Sequence, residues 1–340
     1  MAALTEAPAP LAAKELAPQG LPGLIRQSLA DPAQRSGWYG AAICSALYLF
    51  YFREVLWHFY YSWTTDENYS HGFLVAPIAL YFADQAARRG PVAVRAGAGI
   101  GTTLLVVSVL LSLLTIPLPI PFVGQLSFLL GLTGLFSLIA GREALQRFWF
   151  AFLFLIFMVP LPVAVYSKLA SPLQLLASQV ASTVMNATGV PVLREGNHMT
   201  LPGGIQLFVA EACSGMRQLT GFVALTTAVA YLSRRPAWYR AIIIASGVPI
   251  ALTANITRVM LTGYIMHFLD PEYAEGTFHT LEGLLLMGFG LLMLHAECWL
   301  LDQVHHLFSG EDSRPEPEPK PEPEPESPEA SARAVPLGYS

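Results

Sequence analysis

Three short stretches of this chain hold residue types that together can run acyl-transfer chemistry. Cys213 stands in Glu211-Ala-Cys-Ser-Gly-Met-Arg217, Arg258 closes Asn255-Ile-Thr-Arg258, and His279 opens His-Thr-Leu-Glu-Gly. A cysteine at a helix N-terminus sits in the positive end of the backbone dipole, which favours the thiolate. Arg217 follows one helical turn later, and a cation on that face lowers the thiol pKa further. A histidine moves protons near neutral pH, and an arginine donates several fixed hydrogen bonds to an oxyanion or a substrate carbonyl. Such a set is equipped to attack a peptide carbonyl through a thioester. The same residues also fit a packing cysteine, an interfacial histidine anchor and an arginine paired with Glu211, Glu282 or a lipid phosphate. Residue types alone leave both readings open.

What must position these residues is a set of membrane spans. Hydrophobic residues make up 54% of the 340 and charged residues only 13%, against roughly 25% charged in soluble domains. The charges collect in short clusters separated by apolar stretches long enough to cross a bilayer. Apolar run length predicts an all-α, polytopic bundle of about eight spans: 38–57, 72–86, 98–116, 122–140, 148–165, 215–232, 241–266 and 281–301. The first is interrupted by Arg53 and Glu54, and the second is short. Between the fifth and sixth lies a long segment, 166–212. Residues 168–188 are mildly amphipathic and expected along the interface; residues 189–204 have the composition of a compact loop or hairpin.

Positive charges give an orientation. Lys14, Arg26 and Arg35 precede the first span, Arg88, Arg89 and Arg95 follow the second, Arg142 and Arg147 the fourth, and Arg234, Arg235 and Arg240 the sixth. The alternate loops 61–71, 117–121 and 267–280 contain no Lys or Arg. Both termini are therefore expected in the cytoplasm and segment 166–212 outside, where its Lys168 and Arg194 are weak votes in a long loop. Trp57 to Trp63 fits an outer aromatic belt. In this orientation Cys213, Arg258 and His279 reach one depth from the outer side.

Residues 1–36 are Ala/Pro-rich and expected to be a disordered extension, 37–303 the membrane domain, and 304–340 a Pro/Glu-rich cytoplasmic tail that cannot bury apolar surface. That tail carries many of the acids behind the net charge of −5. Nothing resembles a nucleic-acid footprint. His295, Glu297 and Cys298 lack a further metal partner, Cys44 sits in apolar surroundings, and phosphate loops, nucleophile elbows and His-Glu-x-x-His are absent, so no metal or cofactor is expected.

EACSGMRQL around Cys213, NITR ending at Arg258 and HTLEG beginning at His279 resemble the three signature motifs of the exosortase/archaeosortase family. DENYSHGFLVAPIALYF (66–82), FLIFMVPLP (154–162) and PVLREGNHMTLP (191–202) extend the resemblance, which spans about residues 40 to 300. It implies a membrane cysteine transpeptidase or protease at the outer face of the bacterial inner membrane. The implied substrates are secreted proteins ending in a Pro-Glu-Pro motif, a transmembrane helix and a basic end, and bacterial members are often associated with exopolysaccharide production. The resemblance gives Cys213 the nucleophile's role, His279 the acid/base and Arg258 the stabilising cation. Arg217, Asn255, Glu211 and His71 of Tyr69-Ser-His-Gly are the candidate supporting or substrate-binding residues. A transporter or non-catalytic scaffold for polysaccharide export is the alternative; it predicts repeat symmetry or broken helices at a midplane site.

Overall fold

The computed structural model describes residues 20–30, 32–90, 92, 97–118, 120–209, 216–269 and 277–309. Its helices are α1 (Leu21–Ala30), α2 (Pro32–Tyr51), α3 (Arg53–Thr65), α4 (Gly72–Ala87), α5 (Ala98–Leu114), α6 (Pro121–Phe154), α7 (Val163–Ala187), α8 (Met216–Leu232), α9 (Ala237–Phe268) and α10 (Thr277–Ser309). Between α7 and α8 lies an antiparallel sheet, in the order β1 (Leu193–Glu195), β2 (His198–Thr200), β3 (Gln206–Phe208). The chain is an all-α helix bundle with this one small sheet. Many large apolar side chains point outward, among them Leu47, Phe50, Leu74, Leu110, Leu284 and Leu292. Water would penalise such a surface, and lipid would not.

Among the described residues, three stretches are long and apolar enough to cross a membrane: Pro121–Met158, Ala237–Phe268 and Gly283–Leu307, with Gly99–Leu114 a shorter apolar helix. The first contains the expected span 122–140 and part of the expected span 148–165. Inside α6, Gly141 has φ 91° and ψ 173°, a region open essentially to glycine alone. The rings of Phe136 and Phe152 lie 4.9 Å apart, whereas sixteen residues of continuous helix would separate them by about 24 Å. The chain therefore doubles back at Gly141, between the expected spans 122–140 and 148–165. The interruption expected near Arg53 is also present, as the break at Phe52 between α2 and α3.

Two of the apolar clusters that hold the helices lie near the site. In one, Phe82 of α4, 1% exposed, meets Phe150 and Phe154 of α6 at 5.0 Å and Tyr231 of α8 at 5.4 Å. Tyr231 stacks on Phe150 at 3.7 Å. The other joins α7, the sheet and α9: Met185, Met199, Leu207, Val209 and Val259 are all buried there. Met199 and Leu207 are register partners on the inner face of the sheet, so period-2 alternation turns that face to the helices.

One expectation holds and one needs correction. Residues 168–188 fall within α7 and its C-cap, Thr188, and are amphipathic, with Lys168, Gln179, Thr183 and Asn186 exposed. In α7 the small and hydroxylated residues Ala170, Ala177, Ser178, Ala181 and Ser182 face inward, while Leu169, Leu175, Leu176 and Val184 are exposed. Small residues let helices approach closely. The extension expected to be disordered through residue 36 contains α1 and the start of α2. The Leu21 backbone N–H donates to Asp84 Oδ1 at 2.9 Å, and Leu21 and Leu24 pack on the Ala86, Ala87, Ala144 and Phe148 cluster. Residues 1–19 and 310–340 lie outside the described residues. A second compact unit begins at His295, and its described part is the end of α10.

Candidate active site

The four-residue connection between α8 and α9 makes them antiparallel neighbours. Gly247 of α9 lies close against α8. A Cβ there would lie 2.6 Å from Thr226 Oγ1, 3.2 Å from Val223 Cα and 3.3 Å from the Phe222 carbonyl oxygen. On the other side, the tip of the Phe222 ring occupies the place a Cβ at Gly290 of α10 would take. The Phe222 turn is thus a common level for three helices.

Arg258 is eleven residues beyond Gly247, and His279 is eleven residues before Gly290. Each is about 16 Å from the Phe222 level along its own helix. They lie toward the same end. Phe268, the last residue of α9, stands about 31 Å beyond that level, and the nine residues to Thr277 reach at most about 32 Å. A parallel α10 would start about 20 Å on the other side, beyond that reach, so α10 must run back. Met216, the first described residue of α8, is about 9 Å above Phe222. Arg258 and the His279 backbone therefore share a level just past the start of α8.

Arg258 is buried at 8% exposure and Asn255 at 1%. Both belong to the α9 face that continues from Gly247 through Ala251 to Thr262. Val209, the last described residue before α8, is fully buried in the same cluster as Val259. Cys213 and Glu211 lie outside the described residues, as does the side chain of His279. Arg217 is the second residue of α8, and its guanidinium is ion-paired with Glu67. The cation expected to favour the thiolate thus has a carboxylate partner 150 residues away in the chain.

Glu67 is carried by a loop with its own support. Asp66 accepts from the Asn68 backbone N–H at 2.9 Å, closing a short turn over Glu67–Tyr69. Three side chains on or beside this loop bind the end of α6 and the turn after it. Trp63 Nε1–H donates to the Met158 carbonyl at 3.0 Å, and His71 Nε2 meets the Phe157 carbonyl at 3.1 Å. Tyr69 Oη accepts from the Leu161 N–H at 3.2 Å. The reason is local. A helix end leaves its last carbonyls without partners, and Pro160 and Pro162 offer no N–H to continue a ladder. Gly72 leaves room for the Trp63 indole, which fills the space a Cβ there would need.

Burial pushes the Tyr69 hydroxyl up to about 12. Burial likewise pulls the His71 pKa below its ordinary value, against the pull of the Phe157 carbonyl. A neutral His71 donates from Nε2, and its Nδ1 is buried without a hydrogen-bond partner. His71 thus sits under the loop, bound to the turn after α6.

Glu67 and Trp63 bear on this loop in ways that sequence reasoning passed over, while Tyr69 already stood in the Tyr69-Ser-His-Gly motif. The DENYSH and FLIFMVPLP stretches stand out separately in the sequence, and in space each completes the other. Gln218, whose Oε1 is also buried without a hydrogen-bond partner, lies within EACSGMRQL but was not singled out there. Among the described residues no cluster of three or more His, Cys, Asp or Glu could hold a metal ion.

No curated protein and no solved structure matches this chain. A family model does. It begins at the Trp63 that ties the loop to the turn after α6, and it runs through α8, α9 and most of α10. Described as transmembrane exosortase (Exosortase_EpsH), it matches residues 63–296, and the chain belongs to that family.

Proposed function

We propose that this membrane protein is a cysteine transpeptidase or protease that cleaves C-terminal sorting signals of the Pro-Glu-Pro type from secreted proteins. The observation that carries the reading is the shared level of Arg258 and the His279 backbone, just past the start of α8. In the sequence Cys213 stands three residues before that start. A buried arginine is costly within a membrane and marks a functional position by default.

In the proposed course, Cys213 Sγ attacks the scissile carbonyl as thiolate, and Arg258 stabilises the tetrahedral oxyanion. His279 protonates the departing amine as the C–N bond breaks. The membrane helix of the substrate leaves, and a thioester to Cys213 remains. An amine or water, deprotonated by His279, then attacks the thioester and restores the thiol. Arg217 and Glu211 flank the nucleophile in sequence, with Arg217 tuning its charge. The charge pattern of the loops supports cytoplasmic termini and a reaction at the outer face of the inner membrane. Replacing Cys213 by Ala or Ser in a correctly inserted protein should abolish processing of a co-expressed protein bearing such a tail. Undiminished processing would remove the catalytic role.

A further inference from the structure

Helices α8 and α9 pack as antiparallel neighbours. Gly247 packs against the turn from Phe222 to Thr226. Toward the Arg258 end, Gln218 lies about 6 Å above that turn along α8, and Asn255 about 12 Å above it along α9. Below Asn255 the α9 side of the seam is Gly247, Ala251 and Ala254, small residues suited to close helix contact. At Asn255 that changes. Its side chain is 1% exposed, yet neither Oδ1 nor Nδ2 has a hydrogen-bond partner. Gln218 Oε1 is buried and unpartnered as well. Two carboxamides with unmade bonds thus lie toward the same end of the seam, about 6 Å apart along its axis. Buried amides are ordinarily satisfied, and packing alone would be served by Leu or Ala.

From these unmade bonds we propose that Asn255 and Gln218 form a clamp for a backbone peptide group of the substrate, next to the scissile one. A primary carboxamide is the complement of a peptide group: Oδ1 accepts its N–H while Nδ2–H donates to a carbonyl. Gln218 Oε1 supplies a second acceptor. Asn255 lies one turn below Arg258 on the same face of α9, about 4.5 Å along the axis. An extended peptide advances about 3.3 Å per residue. The clamped group is therefore within two residues of the carbonyl at Arg258. Recognition of this kind reads the backbone and holds the peptide extended, whatever its side chains. The inference rests on the proposed function and adds substrate-binding residues to it.

The test uses the full chain in nanodiscs and a synthetic peptide with a Pro-Glu-Pro motif, an apolar helix and a basic end. Each amide flanking the scissile bond is replaced in turn by an ester, which removes one N–H. In the unsubstituted protein one such ester should lower kcat/KM by about tenfold. Asn255→Leu, nearly isosteric, should itself lose about tenfold, and the same ester should cost that variant nothing more. Its Tm should be unchanged or higher, because an unpaired amide has been removed. Gln218→Met provides the same comparison if Asn255→Leu does not insert.

An ester penalty of equal size in both proteins would overturn the clamp, as would a fall in Tm with kcat/KM preserved. Cleavage retained by Cys213→Ala would instead remove the proposed function itself. Cleavage lost in Cys213→Ala but at full rate in Asn255→Leu would remove the clamp alone.

Discussion

Tyr69→Phe deletes one oxygen from the contact between the Glu67–Tyr69 loop and the turn after α6. The Tyr69 hydroxyl accepts the Leu161 N–H at 3.2 Å, and Tyr69 is 8% exposed. Leu161 stands between Pro160 and Pro162, neither of which has a backbone N–H. Removing the acceptor leaves a backbone donor unpaired in an interior site, which costs about 1–3 kcal/mol. At about 2.1 cal/mol/K per residue over 340 residues, each kcal/mol moves Tm by about 1.4 °C. Thermal unfolding in detergent should therefore show a fall of about 1.4–4 °C. With the hydroxyl pushed up to about 12 by burial, it stays protonated, so the fall should be equal at pH 6 and pH 9. Combined with Trp63→Phe, which removes the N–H to the Met158 carbonyl, the losses should depart from additivity, since both bonds hold one turn. Processing should slow with stability, because this loop carries the carboxylate paired to Arg217. A Tm indistinguishable from the unsubstituted protein would refute the reasoning.

Three further outcomes follow from the same geometry. Burial lowers the His71 pKa in the folded protein, so the unfolded chain takes up this proton first as pH falls. The stability it supports is complete above about pH 6.5 and declines as pH drops through the lowered folded value. His71→Gln, whose amide can still donate to the Phe157 carbonyl, should flatten that part of a Tm-versus-pH curve. Gly141→Ala forces a side chain into the φ 91°, ψ 173° region and should cost about 1–3 kcal/mol, read as reduced yield and Tm of inserted protein. Glu67→Gln should change stability by less than about 1 kcal/mol, since the pair with Arg217 is exposed. It also releases the Arg217 charge, so the acid limb of the pH–rate profile should move to lower pH as the Cys213 thiolate gains stabilisation.

Much of the fold was legible because membrane spans are written in local composition. The paired spans around Gly141, the break near Arg53 and the compact hairpin of residues 189–204 all follow from run length, charge and turn residues. What stayed hidden depends on partners distant in sequence. Amphipathy in α7 was visible, but which elements its small-residue face packs against was not. The α1 helix rests on Asp84 and on Ala144, far along the chain. The Glu67–Arg217 pair and the ties from Trp63, Tyr69 and His71 to residues 157–161 have no local period at all. Arg258 was legible for the opposite reason: a charged residue inside an apolar run is conspicuous on composition alone.

The central claim is that Cys213 forms a covalent acyl intermediate at the end of the bundle shared by Arg258 and His279. Intact-mass analysis tests it directly, on protein mixed with the Pro-Glu-Pro peptide and quenched in acid during turnover. The prediction is a mass increase equal to the N-terminal peptide fragment less one water, mapped to Cys213, released by hydroxylamine as a hydroxamate and absent from Cys213→Ala. Steady cleavage of the peptide with no adduct on Cys213, or with Cys213→Ala at full rate, would contradict it.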